Sequence, residues 1–246
     1  MPPLFITGTP RSGTTYLMTI LNHHSEIHLT GEARIMHFLS FILYDENVWE
    51  SKEAVGTRRG NFRPFFLKGL REAVREYHLS FTKRPVKYWG DKMPHIGRSN
   101  YFRAILELFA HARVINMYRD PRDVVASLME LGWSDLRSGT EVWCSLTKVA
   151  LEYAKRMGPN FFSLFYEELC EDRVEITRRC LEFLGLEMED DLANWLEMEA
   201  SLPTMVSSPT AELGTPSTEK LYPVEMWYVL SQCRELMGAL GYEIKG

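Results

Sequence analysis

A glycine-bounded turn near the start of the chain has the residue types and spacing of a phosphate-binding loop. The segment Gly8–Thr15 reads G-T-P-R-S-G-T-T, follows the apolar run Leu4–Thr7 and precedes a helical pattern that starts near Gly13. In such a strand-turn-helix context, successive backbone N–H groups and the positive end of the helix dipole converge on one anion. The same glycine spacing also occurs in plain strand-to-helix corners, so a second signal is needed.

Thr14 distinguishes this turn from the loops that bind ATP or GTP, because those loops have a lysine at that position. The lysine and the hydroxyl that follows it serve a pair of terminal phosphates and their Mg²⁺ ion. Arg11 is the only cation in the turn. We therefore expect a single 5′-phosphate that carries one transferable substituent, held by Arg11, Thr14 and Thr15 without a metal.

A second candidate anion site begins at the end of the β-rich run Arg113–Tyr118. The segment Arg119–Ser127 reads R-D-P-R-D-V-V-A-S, with a proline suited to the first turn of a helix. Open α/β sheets bind ligands at the carboxyl ends of their strands, and Ser127 lies about two helical turns further on. Both side chains can therefore face one phosphate, although a surface network of the intervening aspartates and arginine is an alternative.

Three further side chains have types suited to moving a proton or neutralising an oxygen. Glu32 follows the first predicted helix, Lys92 follows the predicted strand Val86–Gly90, and His95 comes shortly after. A carboxylate or an imidazole can take a proton from a hydroxyl, and an ammonium group can neutralise a developing negative charge. Each has a simpler interpretation: Glu32 as a first-turn acid beside a helix dipole, Lys92 as a solvated lysine and His95 as a structural histidine.

Predicted strands and helices alternate along the whole chain, and the strands place these side chains at their ends. The predicted strands are Leu4–Thr7, Val86–Gly90, Arg113–Tyr118 and Phe161–Phe165. Helices are predicted from near residue 13, over 32–43 and 100–110, from residue 121, over 140–157, around 176–184 and over 224–240, with a surface excursion over 45–65 and a loop over 201–223. This alternation predicts an α/β fold with a mostly parallel sheet covered on both faces. No repeat or linker divides residues 1–246, so one domain is predicted.

The bulk composition excludes several classes of function. A net charge of −5 argues against non-specific binding of nucleic acid, which requires a basic face. The four cysteines show no C-x-x-C spacing, which favours buried free thiols in a reducing compartment. Neither a membrane-spanning apolar run nor a signal peptide is evident, so a cytoplasmic protein without a membrane partner is expected.

The motifs resemble those of the sulfotransferases that use 3′-phosphoadenosine-5′-phosphosulfate (PAPS), and especially the tyrosylprotein branch, whose turn reads P-R-S-G-T-T. Strong similarity covers Phe5–Glu32, Gly90–Pro94 and Val114–Ser127. The resemblance implies a three-layer α/β/α sulfotransferase fold of the P-loop NTPase type. It implies that PAPS and its product PAP are bound without a metal by Arg11, Ser12, Gly13, Thr14 and Thr15 at the 5′ end, by Arg119 and Ser127 at the 3′-phosphate, and by Tyr166 at the nucleotide.

The resemblance also implies catalytic roles. Glu32 takes the place of the general base, while Lys92 and Arg11 take those of the cations on the sulfuryl and bridging oxygens. His95 competes with Glu32, because some sulfotransferases use a histidine base near this strand end. Ser217, in the segment S-T-E-K, is similar to a serine that contacts the sulfuryl group and its leaving oxygen in the tyrosylprotein enzymes.

The acceptor is expected to be a hydroxyl on a small molecule or on a carrier, rather than a protein tyrosine. Enzymes that sulfate secreted proteins have a membrane anchor and disulfides, which this sequence does not predict, and Leu131 replaces one of their basic residues. Residues 36–86, rich in Phe and Arg, match no motif and are expected to shape the acceptor pocket. Two alternatives stay open: a P-loop kinase that uses ATP and Mg²⁺, and a nucleotide-binding module that has lost catalysis.

Overall fold

The computed structural model of the chain describes residues 1–33, 35–44, 59–94, 100–200 and 220–244. His95 and Ser217 lie outside these ranges, and so do most of the predicted surface excursion and most of the predicted loop over 201–223. The predictions made for those two side chains therefore stay predictions.

A parallel five-stranded sheet forms the centre of the described fold, and its strands are ordered β2-β3-β1-β4-β5. The strands are β1 (Pro3–Gly8), β2 (Ile27–Gly31), β3 (Tyr88–Met93), β4 (Arg113–Tyr118) and β5 (Phe161–Phe165). All residues of β1 and β3 are buried, as expected for parallel strands that are covered on both faces. The predicted parallel α/β architecture is confirmed.

Helices connect the strands and cover both faces of the sheet. Their bounds are α1 (Thr14–Asn22), α2 (Ile35–Tyr44), α3 (Arg59–Leu79), α4 (Asn100–Leu108), α5 (Pro121–Glu130), α6 (Leu136–Met157), α7 (Tyr166–Glu171), α8 (Arg173–Leu184), α9 (Asp190–Ala200) and α10 (Pro223–Leu240). Asp120 caps α5 by accepting a hydrogen bond from the backbone of Arg122, and Pro121 occupies the first turn as predicted. Gly185 and Gly241 end α8 and α10 in the left-handed conformation, directly after the last residue predicted for each helix.

The apolar core divides into layers because successive strand residues point to opposite faces of the sheet. Phe5 and Val114 face a cluster built with α2, α3, α4 and α6, whereas Ile6 and Ile115 face one built with α1, α8 and α9. A third cluster joins α5, α6 and α10 around Trp143. This arrangement confirms the three-layer α/β/α fold.

Several local predictions were wrong, and the helices α7 and α9 were not predicted. The strand β2 was not predicted, and the second helix begins at Ile35 instead of Glu32. The Glu32 backbone N–H donates to the Lys92 carbonyl at 3.0 Å, which extends the β2–β3 ladder and keeps Glu32 out of a helix. Residues 59–65 belong to α3 instead of a surface excursion, because Leu67 and Val74 anchor that helix in the core despite its internal proline.

The state of the cysteines agrees with the prediction, but their burial agrees only in part. All four cysteines are free, as predicted, but Cys144 and Cys170 are only partly buried. Across the described ranges, no helix is both long enough and apolar enough to cross a bilayer.

Candidate active site

The carboxyl edge of the sheet gathers the candidate residues from five separate strands. Gly8 ends β1, Lys92 lies near the end of β3, and Arg119 directly follows β4. Glu32 follows β2 and Tyr166 follows β5. Because all strands are parallel, their carboxyl ends meet at one edge, which is where open α/β sheets bind ligands. The fold therefore brings together the described candidates that the sequence had placed in five distant segments.

The turn after β1 is held in a conformation that requires glycine at both ends. A Cβ on Gly8 would lie 2.5 Å from the Met117 carbonyl oxygen, and Gly13 has a φ of 88°. Arg11 also has a positive φ, 71°, which is uncommon for a residue with a side chain. Ser12 closes the turn through bonds from its backbone and hydroxyl to the Thr9 carbonyl, at 3.1 and 2.7 Å. Among the described residues, no side chain caps α1, so its first N–H groups remain available to an anion.

Two arginines approach each other beside this turn. The Arg11 Nε donates to the Ser127 hydroxyl at 3.0 Å, and an Arg119 Nη donates to the Arg11 carbonyl at 2.9 Å. Burial and the positive charge of Arg119 lower the pKa of Arg11. The buried Arg119 Nε has no hydrogen-bond partner within the described part of the chain, and Asp123 lies 3.9 Å from its guanidinium. An anion placed here would neutralise two crowded cations and satisfy a buried donor.

Tyr166 packs directly against both anion-binding segments. Its ring lies 4.2 Å below the Arg119 guanidinium carbon, a distance suited to a cation–π contact. A Cβ on Gly13 would approach the same ring to 2.4 Å, so the turn and the start of α7 fit closely only because residue 13 is glycine. The sequence placed Tyr166 near the nucleotide, and the structure places it between the turn and Arg119.

Two supporting residues were missed by the sequence reasoning. The Trp143 indole donates to the Arg119 carbonyl at 2.9 Å, which fixes the end of β4 against α6. Glu167 accepts from the Asp120 backbone N–H at 2.8 Å and from the Tyr242 hydroxyl at 3.1 Å, and burial raises its pKa. Nothing in the local sequence signals these roles, because each depends on a partner far away in the chain.

The predicted alternative for the second anion segment exists beside the site and does not replace it. Arg122 pairs with Asp120 at 2.6 Å and so belongs to the helix cap. Ser127 is not part of that network, since its hydroxyl accepts from Arg11. The surface network and the candidate anion site therefore use different side chains of this segment.

A lysine–glutamate pair lies at the ends of β2 and β3. Lys92 Nζ is 2.6 Å from a Glu32 carboxylate oxygen, and the two side chains are 7% and 47% exposed. Glu32 has a φ of 52° and is not a first-turn residue of α2, so its interpretation as a helix-dipole acid is wrong. The buried position of Lys92 likewise contradicts its interpretation as a solvated lysine. The pair offers a carboxylate open to solvent and an ammonium group fixed beside it.

A parallel α/β sheet with a glycine-bounded turn after its central strand, with Arg11 in that turn and Arg119 beside it, is the arrangement typical of the P-loop class of folds. Residues 2–190 match the model of the sulfotransferase family. The chain belongs to this family of PAPS-dependent sulfotransferases. In the described residues, no group of three or more His, Cys, Asp or Glu side chains is arranged to hold a metal ion.

Individual relatives agree with this membership. Protein-tyrosine sulfotransferase A of Caenorhabditis elegans is 26% identical over 202 residues, which cover 77% of this chain and 51% of that protein. The sulfotransferase domain of the Synechococcus PCC 7002 olefin synthase superposes with a TM-score of 0.71 at 17% identity, covering 99% of this chain and 95% of the domain. A mouse sulfotransferase crystallised with PAP superposes with a TM-score of 0.57 at 14% identity, covering 96% of this chain and 84% of that chain. The chain spans about half or less of the length of the first curated relatives it matches.

Proposed function

We propose that the chain transfers the sulfuryl group of PAPS to a hydroxyl of a small-molecule or carrier-bound acceptor, with Glu32 as general base. The observation that carries this proposal is the contact between Arg11 and Ser127, 116 positions apart in the sequence. It joins the phosphate turn to the second anion segment, as a donor with phosphates at both its 5′ and 3′ ends requires.

The described residues fit such a donor. The uncapped N-terminus of α1, with Thr14 and Thr15, suits the 5′-phosphosulfate, while Arg119 and Ser127 suit the 3′-phosphate. The buried, unpartnered Nε of Arg119 within the described structure supplies a donor for that phosphate. Tyr166 offers an aromatic face beside both. PAPS supplies the transferable sulfuryl group when bound.

Glu32 and Lys92 divide the work of the transfer. The Glu32 carboxylate accepts the proton of the acceptor hydroxyl as that oxygen bonds to sulfur. Lys92 carries three N–H donors, of which one is directed to Glu32. Its remaining donors neutralise the charge that develops on the oxygen shared by phosphate and sulfate, because the bond from that oxygen to sulfur breaks. Arg11 adds a second cation at the turn.

The surface near Glu32 supports an acceptor with an apolar body. Phe38 and Phe41 lie one turn apart on α2, the helix that begins shortly after Glu32, and they are 62% and 61% exposed. An exposed apolar pair of this kind suits a phenol or an acyl chain better than an acidic peptide. The cytoplasmic location and the single-domain organisation stay predictions from the sequence, and so does the alternative base His95.

The first experiment is a calorimetric titration of the chain with PAP, beside ATP with Mg²⁺ and plain AMP. We expect micromolar binding of PAP and much weaker binding of AMP, which has no 3′-phosphate. Turnover is then measured with ³⁵S-labelled PAPS and a panel of 4-nitrophenol, a tyrosine peptide and a hydroxyacyl pantetheine thioester. Preference for ATP with Mg²⁺ would instead favour the kinase, and tight PAP binding without turnover would favour the inactive module.

Replacing Gly13 with alanine is expected to weaken PAP binding about tenfold or more. The new Cβ would meet the Tyr166 ring at 2.4 Å, and a φ of 88° disfavours any side chain. The turn must shift away from Tyr166, which moves the N–H groups of α1. Calorimetry with PAP measures the effect. Gly185→Ala is the matched control, because its φ is 65° and nothing lies within 4 Å of its added Cβ. Equal affinities for the two variants would contradict the proposed position of the donor.

A further inference from the structure

A buried chain of hydrogen bonds lies one register position behind the Glu32–Lys92 pair. Thr30 is the register partner of Asp91 across β2 and β3, as Gly31 is of Lys92. The Thr30 hydroxyl is 3.1 Å from Asp91 Oδ1 and 3.0 Å from His78 Nδ1. Asp91 and His78 are both fully buried. The chain therefore runs from α3 through β2 to β3 without contact with solvent at its ends.

The hydrogen bonds in this chain are donated in sequence from His78 to Thr30 and from Thr30 to Asp91. Burial, followed by the charge of His28, lowers the pKa of His78 to about 4, so its ring is neutral near pH 7. We assign its single proton to Nδ1, which donates to Thr30. The Thr30 hydroxyl then donates its one proton to Asp91 Oδ1 at 3.1 Å, with the Gly90 carbonyl at 3.2 Å as a shared acceptor. His78 Nε2, buried and without a partner among the described residues, then carries a lone pair instead of an unsatisfied N–H.

The other oxygen of Asp91 holds the backbone directly after Glu32. Asp91 Oδ2 accepts from the Ala33 backbone N–H at 3.1 Å. The backbone N–H of Glu32 itself donates to the Lys92 carbonyl at 3.0 Å. Both peptide N–H groups that flank the Glu32 Cα are therefore bonded to β3. These bonds hold Glu32 at a φ of 52°, a left-handed conformation that disfavours a side chain, and so direct its carboxylate towards Lys92.

We propose that Asp91 is a positioning residue, which fixes the strained turn at Glu32 through Ala33 and is itself oriented by Thr30 and His78. The inference rests on the proposed role of Glu32 as general base. Asp91 touches neither donor nor acceptor, and it acts on the rate only through the place where it holds the Glu32 carboxylate. The sequence alone does not predict this role, which follows from the hydrogen bonds of Asp91 to Thr30 and Ala33.

The charge of Asp91 does not stabilise the fold, which favours a functional role for this carboxylate. Burial raises its pKa from 3.8 to about 6, while the hydrogen bonds from Thr30 and Ala33 and the charge of Lys92 oppose that rise. His78, the titratable group that faces it through Thr30, has a pKa of about 4 and is mostly neutral near pH 6. A raised carboxyl pKa means that folding stability is lost as pH rises from about 4 through about 6. At neutral pH the ionised Asp91 therefore destabilises the fold while it holds the turn.

Asp91→Asn tests the inference, because the amide has the same shape but no charge, and only one of its two polar atoms can accept the bonds that Thr30 and Ala33 donate. We expect kcat with the best acceptor of the panel to fall on the order of 10- to 100-fold. The Kd for PAP should not change, and Tm at pH 8 should equal or exceed that of the wild type. The difference in Tm should shrink as pH falls from about 6 to about 4. Asp172→Asn is the matched control: it removes the N-cap carboxylate of α8 and should leave kcat unchanged.

A second pair of variants tests the orientation of Asp91. Thr30→Val removes the hydroxyl with little change of shape, so it breaks the link between His78 and Asp91. We expect it to lower kcat several-fold, whereas Thr30→Ser, which restores the hydroxyl, should recover most of the rate. Equal values of kcat for the two variants would show that Thr30 and His78 do not orient Asp91.

The outcomes separate this inference from the proposed function. Wild-type kcat in Asp91→Asn, together with loss of activity in Glu32→Gln, would overturn the positioning role alone. A joint fall in Tm, PAP affinity and kcat in Asp91→Asn would also overturn it, since it would show a general structural role. An active Glu32→Gln enzyme would overturn the base assignment and this inference with it.

Discussion

Glu32→Gln is expected to lower kcat by about 10²- to 10⁴-fold, the contribution of a positioned general base. Glutamine cannot take the proton of the acceptor hydroxyl, but its amide oxygen can still accept the bond from Lys92 that the carboxylate now accepts at 2.6 Å. The strained turn and the sheet edge should therefore keep their structure. Turnover with the best acceptor of the panel measures the loss, and calorimetry should give an unchanged Kd for PAP.

Glu141→Gln is the matched control for this variant. Glu141 is also a solvent-exposed glutamate in an ion pair, with Arg137 at 2.9 Å, but it lies on α6 and not at the strand ends. Its replacement should leave kcat unchanged. If Glu32→Gln retained the wild-type rate while His95→Ala abolished it, the role of general base would pass to His95. A loss of PAP affinity in Glu32→Gln would instead show that Glu32 helps to hold the donor.

The turn and the second anion segment were predictable from sequence because their geometry is local. Gly8 and Gly13 bracket a turn between a strand and a helix, and Pro121 marks the start of α5. The rule that parallel strands share a carboxyl edge then places Arg11 and Arg119 on the same side. The contact between Arg11 and the Ser127 hydroxyl was not predictable, because it requires β1 and β4 to be neighbours in the sheet.

The surroundings of Glu32 show where sequence reasoning failed. The strand Ile27–Gly31 is short and only partly buried, and its pairing partner β3 lies more than 50 residues further along the chain. Without that strand, Glu32 had been predicted at the start of a helix. Asp91 was equally invisible, since a buried carboxylate is recognised only by the donors around it, and those come from other elements.

Arg119→Ala is expected to weaken PAP binding by about 10- to 100-fold, the loss of one charge-assisted hydrogen bond to phosphate. The guanidinium is buried beside the turn, and its Nε, which has no partner in the described structure, is a donor that a phosphate can satisfy. The affinity for AMP should change much less, because AMP has no 3′-phosphate. Calorimetry with both ligands on both proteins forms a thermodynamic cycle that isolates the contact with that phosphate.

Arg122→Ala supplies the matched control for this cycle, because it removes the same charge three positions away. Arg122 is already neutralised by Asp120 at 2.6 Å. Its loss should therefore lower PAP affinity only slightly, by weakening the long-range electrostatic attraction of the site for an anion. An equal loss of PAP and AMP affinity in Arg119→Ala would mean that Arg119 binds the phosphate common to both ligands. In that case Arg119 would serve the turn after β1, to whose Arg11 carbonyl it already donates at 2.9 Å, and the 3′-phosphate would require another cation.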